Sequence, residues 1–69
     1  MAANPKHIPS PAVGWITLRQ WCELTGETEK AVRRRREKGI WYDGRHTRLR
    51  DRRIWVNYEA AQEWVETGR

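Results

Sequence analysis

The spacing of apolar side chains predicts a short helix that begins near residue 18. In the segment TLRQWCELTG, residues 17 to 26, the apolar positions at helical spacing are Leu18, Trp21 and Cys22. Residues three and four apart lie on the same side of a helix, so these side chains form one apolar face. Thr17 and Gln20 have the spacing of a capping box. Gly26 suits the left-handed residue that often ends a helix.

A second helix is predicted after a brief turn. Thr28 has the side chain of an N-cap, and Glu29 suits the positive N-terminal end of the helix dipole. Gly39, directly after Lys38, ends this helix. Two short helices joined by so short a turn indicate a helix-turn-helix, although any helical hairpin produces the same pattern.

Beyond Gly39 the pattern changes from helical to extended. HTRLR and RIWV, residues 46 to 50 and 53 to 56, alternate or carry β-branched and aromatic side chains. We therefore expect a hairpin with a basic tip and with Asp51 and Arg52 as its two-residue turn. Neither turn residue is glycine or asparagine, so the pattern leaves the register of the two strands open.

A last helix is predicted in YEAAQEWVETG, with Asn57 as its N-cap and Gly68 as its end. Its expected apolar face contains Tyr58, Ala61, Trp64 and Val65, while glutamates occupy the rest. The order helix, turn, helix, basic hairpin, helix is that of a small winged-helix domain. We therefore predict a small α+β fold, a winged helix-turn-helix with three short helices and a two-stranded basic wing.

A chain of 69 residues is long enough for only one small domain. Residues 1–14 contain three prolines and no periodicity and are expected to form a flexible arm, with residues 15–69 forming the domain. We expect the five tryptophans to form the core rather than a platform for single-stranded bases.

The single Cys22 excludes an internal disulfide and favours a cytoplasmic protein. The apolar runs are far shorter than the ~20 residues that span a bilayer, so no membrane partner is expected.

Positive charge is concentrated in one part of the chain. Between Thr28 and Arg53 there are eleven lysines and arginines against four acidic residues, a net charge of +7, and the remainder of the chain carries −2. A solubilising surface does not require such concentration. A positive field over one region is typical of a protein that binds a polyanion, and double-stranded DNA is the expected partner.

The same segments resemble a known family. TLRQWCELTG and TEKAVRRRREKG, with the hairpin and helix that follow, resemble the phage excisionases and, more loosely, the MerR-like winged helices. The run from Ala31 to Arg34 resembles the start of the family's recognition-helix motif TVRRW, with Arg35 in place of its tryptophan. DGR, residues 43 to 45, resembles the approach to the family's wing. This chain ends soon after the last helix, where family members carry a tail associated with contacting integrase.

The resemblance implies a non-enzymatic recombination directionality factor. Such a protein binds and bends attachment-site DNA and directs integrase towards excision of a prophage or mobile element. The implied partners are double-stranded DNA, integrase and further copies of the chain on adjacent sites. The implied location is the cytoplasm of a bacterial host, in association with the nucleoid.

Helical geometry divides the four consecutive arginines, because each residue turns the side-chain direction by about 100°. One face is expected to enter the DNA major groove and contains Lys30, Arg33, Arg34 and Glu37. Contacts to the DNA backbone are expected from Thr28, Arg36 and Lys38. Arg35 falls beside Ala31 and Val32, so we expect it to lie along a tryptophan and reach water or a carboxylate. The wing is expected to lie on the phosphates or to enter the minor groove, with contacts from Arg45, Arg48, Arg50, Arg52 and Arg53.

Other functions have less support in the sequence. His7 and His46 have no neighbours that form a catalytic dyad, and Cys22 lies on an apolar helix face, so no enzymatic activity, cofactor or metal is expected. Two alternatives to an excisionase stay open. One is a phage or plasmid transcriptional regulator on the same fold. The other is a protein-interaction module that uses the acidic last helix.

Overall fold

The computed structural model of the chain describes residues 14–69, which form a small α+β fold of three helices and a three-stranded antiparallel sheet. The predicted arm, except for Gly14, lies outside the described residues. In chain order the elements are β1 (Trp15–Thr17), α1 (Leu18–Thr25), α2 (Glu29–Glu37), β2 (Thr47–Arg50), β3 (Arg53–Asn57) and α3 (Tyr58–Thr67).

The predicted helix ends are confirmed. At the start of α1 the Thr17 hydroxyl accepts a hydrogen bond from the Gln20 backbone N–H, and the Gln20 side chain accepts one from the Thr17 N–H, both at 3.1 Å. Thr28 caps α2 by accepting from the Ala31 N–H. Asn57 caps α3 in the same way, and a left-handed glycine follows both α1 and α3. Side chains and glycines at these ends satisfy backbone groups that the helices leave unpaired.

The sheet has one strand more than the predicted two-stranded wing. Its order is β1-β3-β2, and β1 pairs antiparallel with β3 so that Ile16 lies opposite Val56. The hairpin of β2 and β3 is present, with Arg50 opposite Arg53 next to the turn. Three residues of β1 are too few to show an alternating pattern, so its pairing with β3 was not visible in the sequence. The expectation of a two-stranded sheet was therefore wrong.

The core lies between one face of this sheet and the helices. Ile16, Ile54 and Val56 contribute from the sheet, and Trp21 and Trp41 are completely buried with their ring centroids 5.8 Å apart in an edge-to-face arrangement. Trp64 packs against this cluster, but Trp15 and Trp55 lie on the other face of the sheet and are half-buried. The prediction that all five tryptophans form the core is wrong for these two, because alternate strand residues point to opposite faces.

One residue predicted for the buried face of α3 is exposed. Val65 is 56% exposed, whereas Ala60 and Ala61 are buried and Trp64 is half-buried. Val65 is on the side of α3 predicted to be apolar but lies in its last turn, where the core ends and every residue from 65 to 69 is exposed. Among the described residues, no helix is long and apolar enough to cross a membrane.

Candidate nucleic-acid interface

The structure separates Arg33 and Arg34 from Arg35 as helical spacing predicts, but Arg36, expected at the DNA backbone, lies on the packed side of α2 with Arg35. Val32 is fully buried, and Ala31, Arg35 and Arg36 are half-buried on the same side of the helix. The opposite side is exposed and contains Lys30, Arg33, Arg34 and Glu37. The side of α2 that faces solvent is therefore basic, with one carboxylate at its C-terminal end.

Arg35 is held inside the domain rather than presented to solvent. Its guanidinium lies over the rings of Trp41 and Trp64, at 4.8 and 4.6 Å from their centroids. Both of its terminal nitrogens donate to the Glu27 carboxylate, one of them at 2.9 Å. Its side chain is only 16% exposed. The prediction that Arg35 lies along a tryptophan and reaches a carboxylate is confirmed.

Glu27 joins the two helices through this contact. The indole N–H of Trp21 in α1 donates to Glu27 at 2.9 Å, on the same oxygen that accepts from Arg35 in α2. The hydrogen bond from Arg35 lowers the pKa of the Glu27 carboxyl. Sequence reasoning treated Glu27 as a turn residue only, because an ion pair across eight residues leaves no local pattern. Glu27 therefore bonds to side chains of both helices from the turn between them.

Arg36 is also engaged within the fold. One terminal nitrogen donates to both oxygens of Asp43, at 2.8 and 3.0 Å, and its Nε donates to the hydroxyl of the buried Thr47 at 3.2 Å. The hydrogen bond from Arg36 lowers the pKa of the Asp43 carboxyl. These bonds connect the C-terminal half of α2 to the segment that enters β2. The structure thus uses Arg36, expected at the DNA backbone, to hold the hairpin against α2.

The cations on the exposed side of α2 differ in their surroundings. Arg33 forms an ion pair with Glu29 at 3.2 Å, one turn earlier in the helix. Within residues 14–69, neither Lys30 nor Arg34 has a carboxylate at ion-pair distance. Thr28 and Lys38 are the N-cap and C-cap residues of α2 and are exposed at its two ends. Lys30 and Arg34 are therefore available to a ligand without the loss of an ion pair.

The hairpin turn is close to the N-terminal part of α2. A surface cleft of about 390 Å³ is bordered by Glu29 and Arg33 from α2, by Arg19 from α1, and by Arg52 and Arg53 from the hairpin. The turn residues Asp51 and Arg52 both have a positive φ, 55° and 61°. Two successive left-handed residues are typical of a type I′ turn, whose twist matches that of the strands it joins. The basic tip and Arg33 of α2 therefore border one concave surface.

The five arginines assigned to the wing do not lie together. Arg52 and Arg53 border the cleft beside α2, whereas Arg48 lies 5.0 Å from the Trp15 ring on the other face of the sheet. Arg50 is next to Arg48 on that face. Arg45 donates to Glu63 of α3 at 3.4 Å. Of the five, only Arg52 and Arg53 at the tip border the cleft with α2, although the strand register places Arg53 on the same face of the sheet as Arg48 and Arg50.

His46 is a buried residue of this region that the sequence did not assign to the core. It is 2% exposed, stacks parallel to Trp41 with centroids 5.7 Å apart, and accepts from the Tyr42 N–H through Nδ1. Burial lowers its pKa below the usual value, and the nearby Arg45 acts in the same direction. Across residues 14–69, no group of three His, Cys, Asp or Glu side chains is arranged to hold a metal ion.

Comparison with protein-family models, with curated proteins and with solved structures finds no match to this chain.

Proposed function

We propose that this protein binds double-stranded DNA as a winged helix, with the exposed side of α2 in the major groove and the hairpin tip on the adjacent backbone. The observation that carries this proposal is the shared basic surface of α2 and the tip. Arg33 lies on its helical side and Arg52 on its hairpin side, and Lys30 and Arg34 are exposed on the same side of α2 as Arg33. A helix fits the major groove, and cations on both sides of it suit the phosphates.

Base readout is assigned to the middle of α2. An arginine can donate two hydrogen bonds to O6 and N7 of guanine, and Arg33 and Arg34 are the exposed arginines of this helix. Arg33 exchanges its ion pair with Glu29 for the base, whereas Arg34 needs no such exchange. Glu37 is suited to accept from the amino group of a cytosine. Lys30 lies near the helix N-terminus and reaches a base or a phosphate.

Backbone contacts are assigned to the exposed residues around this helix. Thr28 and Lys38 lie at its two ends, and Arg52 and Arg53 extend the surface to the hairpin. These residues fix orientation without reading sequence. Arg36 is not assigned a DNA contact, because its bonds to Asp43 and Thr47 hold the hairpin in place.

We further propose that DNA binding serves excision of a prophage or mobile element. Support comes from the resemblance of about residues 15 to 66 to the excisionases and from the small size of the domain, which suits an accessory factor that bends DNA for a recombinase. Integrase and further copies of the chain on adjacent sites are the proposed partners. The same fold also suits a transcriptional regulator, which need not bend its site.

The direct test is the affinity for duplexes selected from a random-sequence library, measured by fluorescence anisotropy over a range of salt. Each phosphate that is neutralised contributes about −0.9 to the slope of log affinity against log salt, so a steep negative slope is expected. Arg34→Ala is expected to cost roughly 1 to 3 kcal/mol on the selected duplex and little on random duplexes, whereas Arg52→Ala weakens both alike. A flat salt response, or equal losses for the two variants on both duplexes, contradicts the proposal.

Bending separates the two biological roles. A circularly permuted set of the selected duplex, run with and without protein on a native gel, gives the bend angle. A substantial bend with cooperative occupation of repeated sites is expected of an excisionase. Binding to a straight duplex at a single site indicates a transcriptional regulator instead.

A further inference from the structure

The face of the sheet turned away from the core, here called the outer face, has an unusual composition. The strand register places Trp55 of β3 beside Arg48 of β2 and Thr17 of β1, with Trp15 diagonal to Trp55. Arg50 and Arg53 extend the same face towards the hairpin turn. By this register the strand residues of the outer face include two tryptophans, three arginines and no carboxylate.

The two tryptophans and two of the arginines enclose a shallow hollow of about 340 Å³, bordered by Trp15, Arg48, Arg50 and Trp55. Both indole rings are half-buried, so part of each ring remains accessible, and the guanidinium of Arg48 lies 5.0 Å from the Trp15 centroid. Accessible aromatic faces beside arginines are suited to stack on planar groups and to attract negative charge.

A second observation indicates that the expected ligand is an anion. Arg50 and Arg53 are directly opposite each other in the strand pairing. Within the described residues, neither has a carboxylate at ion-pair distance. Like charges directly opposite on paired strands repel each other. A phosphate between or beside the two guanidinium groups relieves that repulsion.

We propose that the outer face binds a single strand of nucleic acid, with unpaired bases stacked on Trp15 and Trp55 and phosphates beside Arg48 and Arg50. A duplex is less suited to this face, because its bases are stacked on one another and do not offer their faces to a protein ring. A strand with unpaired bases supplies both the planar groups and the negative charge. Arg53 lies where the outer face meets the cleft beside α2, but the hollow of Trp15, Arg48, Arg50 and Trp55 shares no bordering residue with that cleft.

The test uses a fluorescein-labelled oligothymidylate and the full chain, with binding followed by anisotropy and by quenching of tryptophan fluorescence. Trp55→Thr is expected to raise the Kd for the oligothymidylate at least about fivefold, since the stacking of one base is lost. Arg50→Gln, an exposed substitution that keeps the fold, is expected to weaken binding and to reduce the magnitude of the salt slope by about 0.7. Arg34→Ala on α2 is the matched control and is expected to leave this affinity unchanged.

Three results would overturn the proposal. One is an oligothymidylate affinity that falls with Arg34→Ala but is unaffected by Trp55→Thr and Arg50→Gln, because binding would then use α2. Another is the absence of tryptophan quenching on binding. The third is equal affinity and quenching with poly-L-glutamate, which would assign the face to an acidic polypeptide. The test measures only single-strand binding, so its result can be interpreted even if the protein does not bind duplex DNA.

Discussion

At the scale of single residues, four consecutive arginines have different surroundings. Arg35 is enclosed by two tryptophans and bonded to Glu27, Arg36 is bonded to Asp43, and Arg33 and Arg34 face solvent. The difference follows from helical geometry, which turns each successive side chain by about 100°. Substitution of Arg35 is therefore expected to lower stability, whereas substitution of Arg34 is expected to lower DNA affinity and leave stability nearly unchanged.

Arg35→Ala is expected to lower the free energy of unfolding by roughly 2 to 3 kcal/mol, because it removes two cation–π contacts and leaves Glu27 without its partner. Arg34→Ala, the adjacent exposed position, is expected to change it by less than about 0.5 kcal/mol. Urea denaturation of the two variants beside the wild-type protein measures both effects. Similar losses of stability in the two variants would show that Arg35 has no special structural role.

His46 gives the fold a pH dependence near neutrality. Burial lowers its pKa in the folded protein, while in the unfolded chain it takes up a proton near pH 6.5. Below that pH the unfolded chain binds more protons, so the free energy of unfolding is expected to fall as the pH decreases from about 7 to 5. Glu27 and Asp43 have lowered pKa values and titrate below this range.

The measurement is urea denaturation at a series of pH values for the wild-type protein and for His46→Gln. The variant is expected to show a flatter dependence between pH 7 and 5. His7 is present in both proteins, so its contribution cancels in the comparison. Equal slopes in the two proteins would show that His46 does not carry the effect.

At the scale of elements, the hairpin turn adopts a backbone conformation that its residues do not favour. Asp51 and Arg52 both have positive φ, which glycine or asparagine adopts more easily. Arg52→Gly is expected to raise the free energy of unfolding by about 1 kcal/mol. It is also expected to weaken duplex binding and to reduce the magnitude of the salt slope by about 0.9, because a phosphate contact is lost.

Arg53→Gly provides the matched control for this change. It removes the same charge one residue later, from a strand position that does not have a positive φ. It is expected to lower the free energy of unfolding, since glycine weakens a strand. Thermal unfolding of both variants distinguishes the two positions, and destabilisation by Arg52→Gly would contradict the account of the turn.

Most of the elements, but not their assembly, could be predicted from the sequence. The caps at Thr17, Thr28 and Asn57 are local patterns within four residues, and all three are confirmed. The pairing of β1 with β3 joins residues about forty positions apart and leaves no local pattern. For the same reason the sequence does not place Trp15 and Trp55 on the outer face. The separation of Arg35 from Arg33 and Arg34 was predictable because it depends on spacing alone, whereas the bonds of Arg36 to Asp43 and Thr47 leave no local pattern.

At the scale of the whole molecule, Arg33 of α2 and the hairpin tip border one cleft, and α3 carries exposed glutamates. Arg45, two residues before β2, forms an ion pair with Glu63 of α3. Such segregation gives the molecule a positive side that attracts a polyanion at a distance. We therefore expect duplex DNA to approach the side formed by α2 and the tip rather than α3.

The most direct test of this account is a map of amide chemical shifts, recorded as the ¹⁵N-labelled protein is titrated with a duplex selected from a random library. The largest shifts are expected at Lys30, Arg34 and Arg52, with little change at Glu59 and Glu66 on α3. Shifts concentrated on α3, with α2 and the hairpin tip unchanged, would contradict the account.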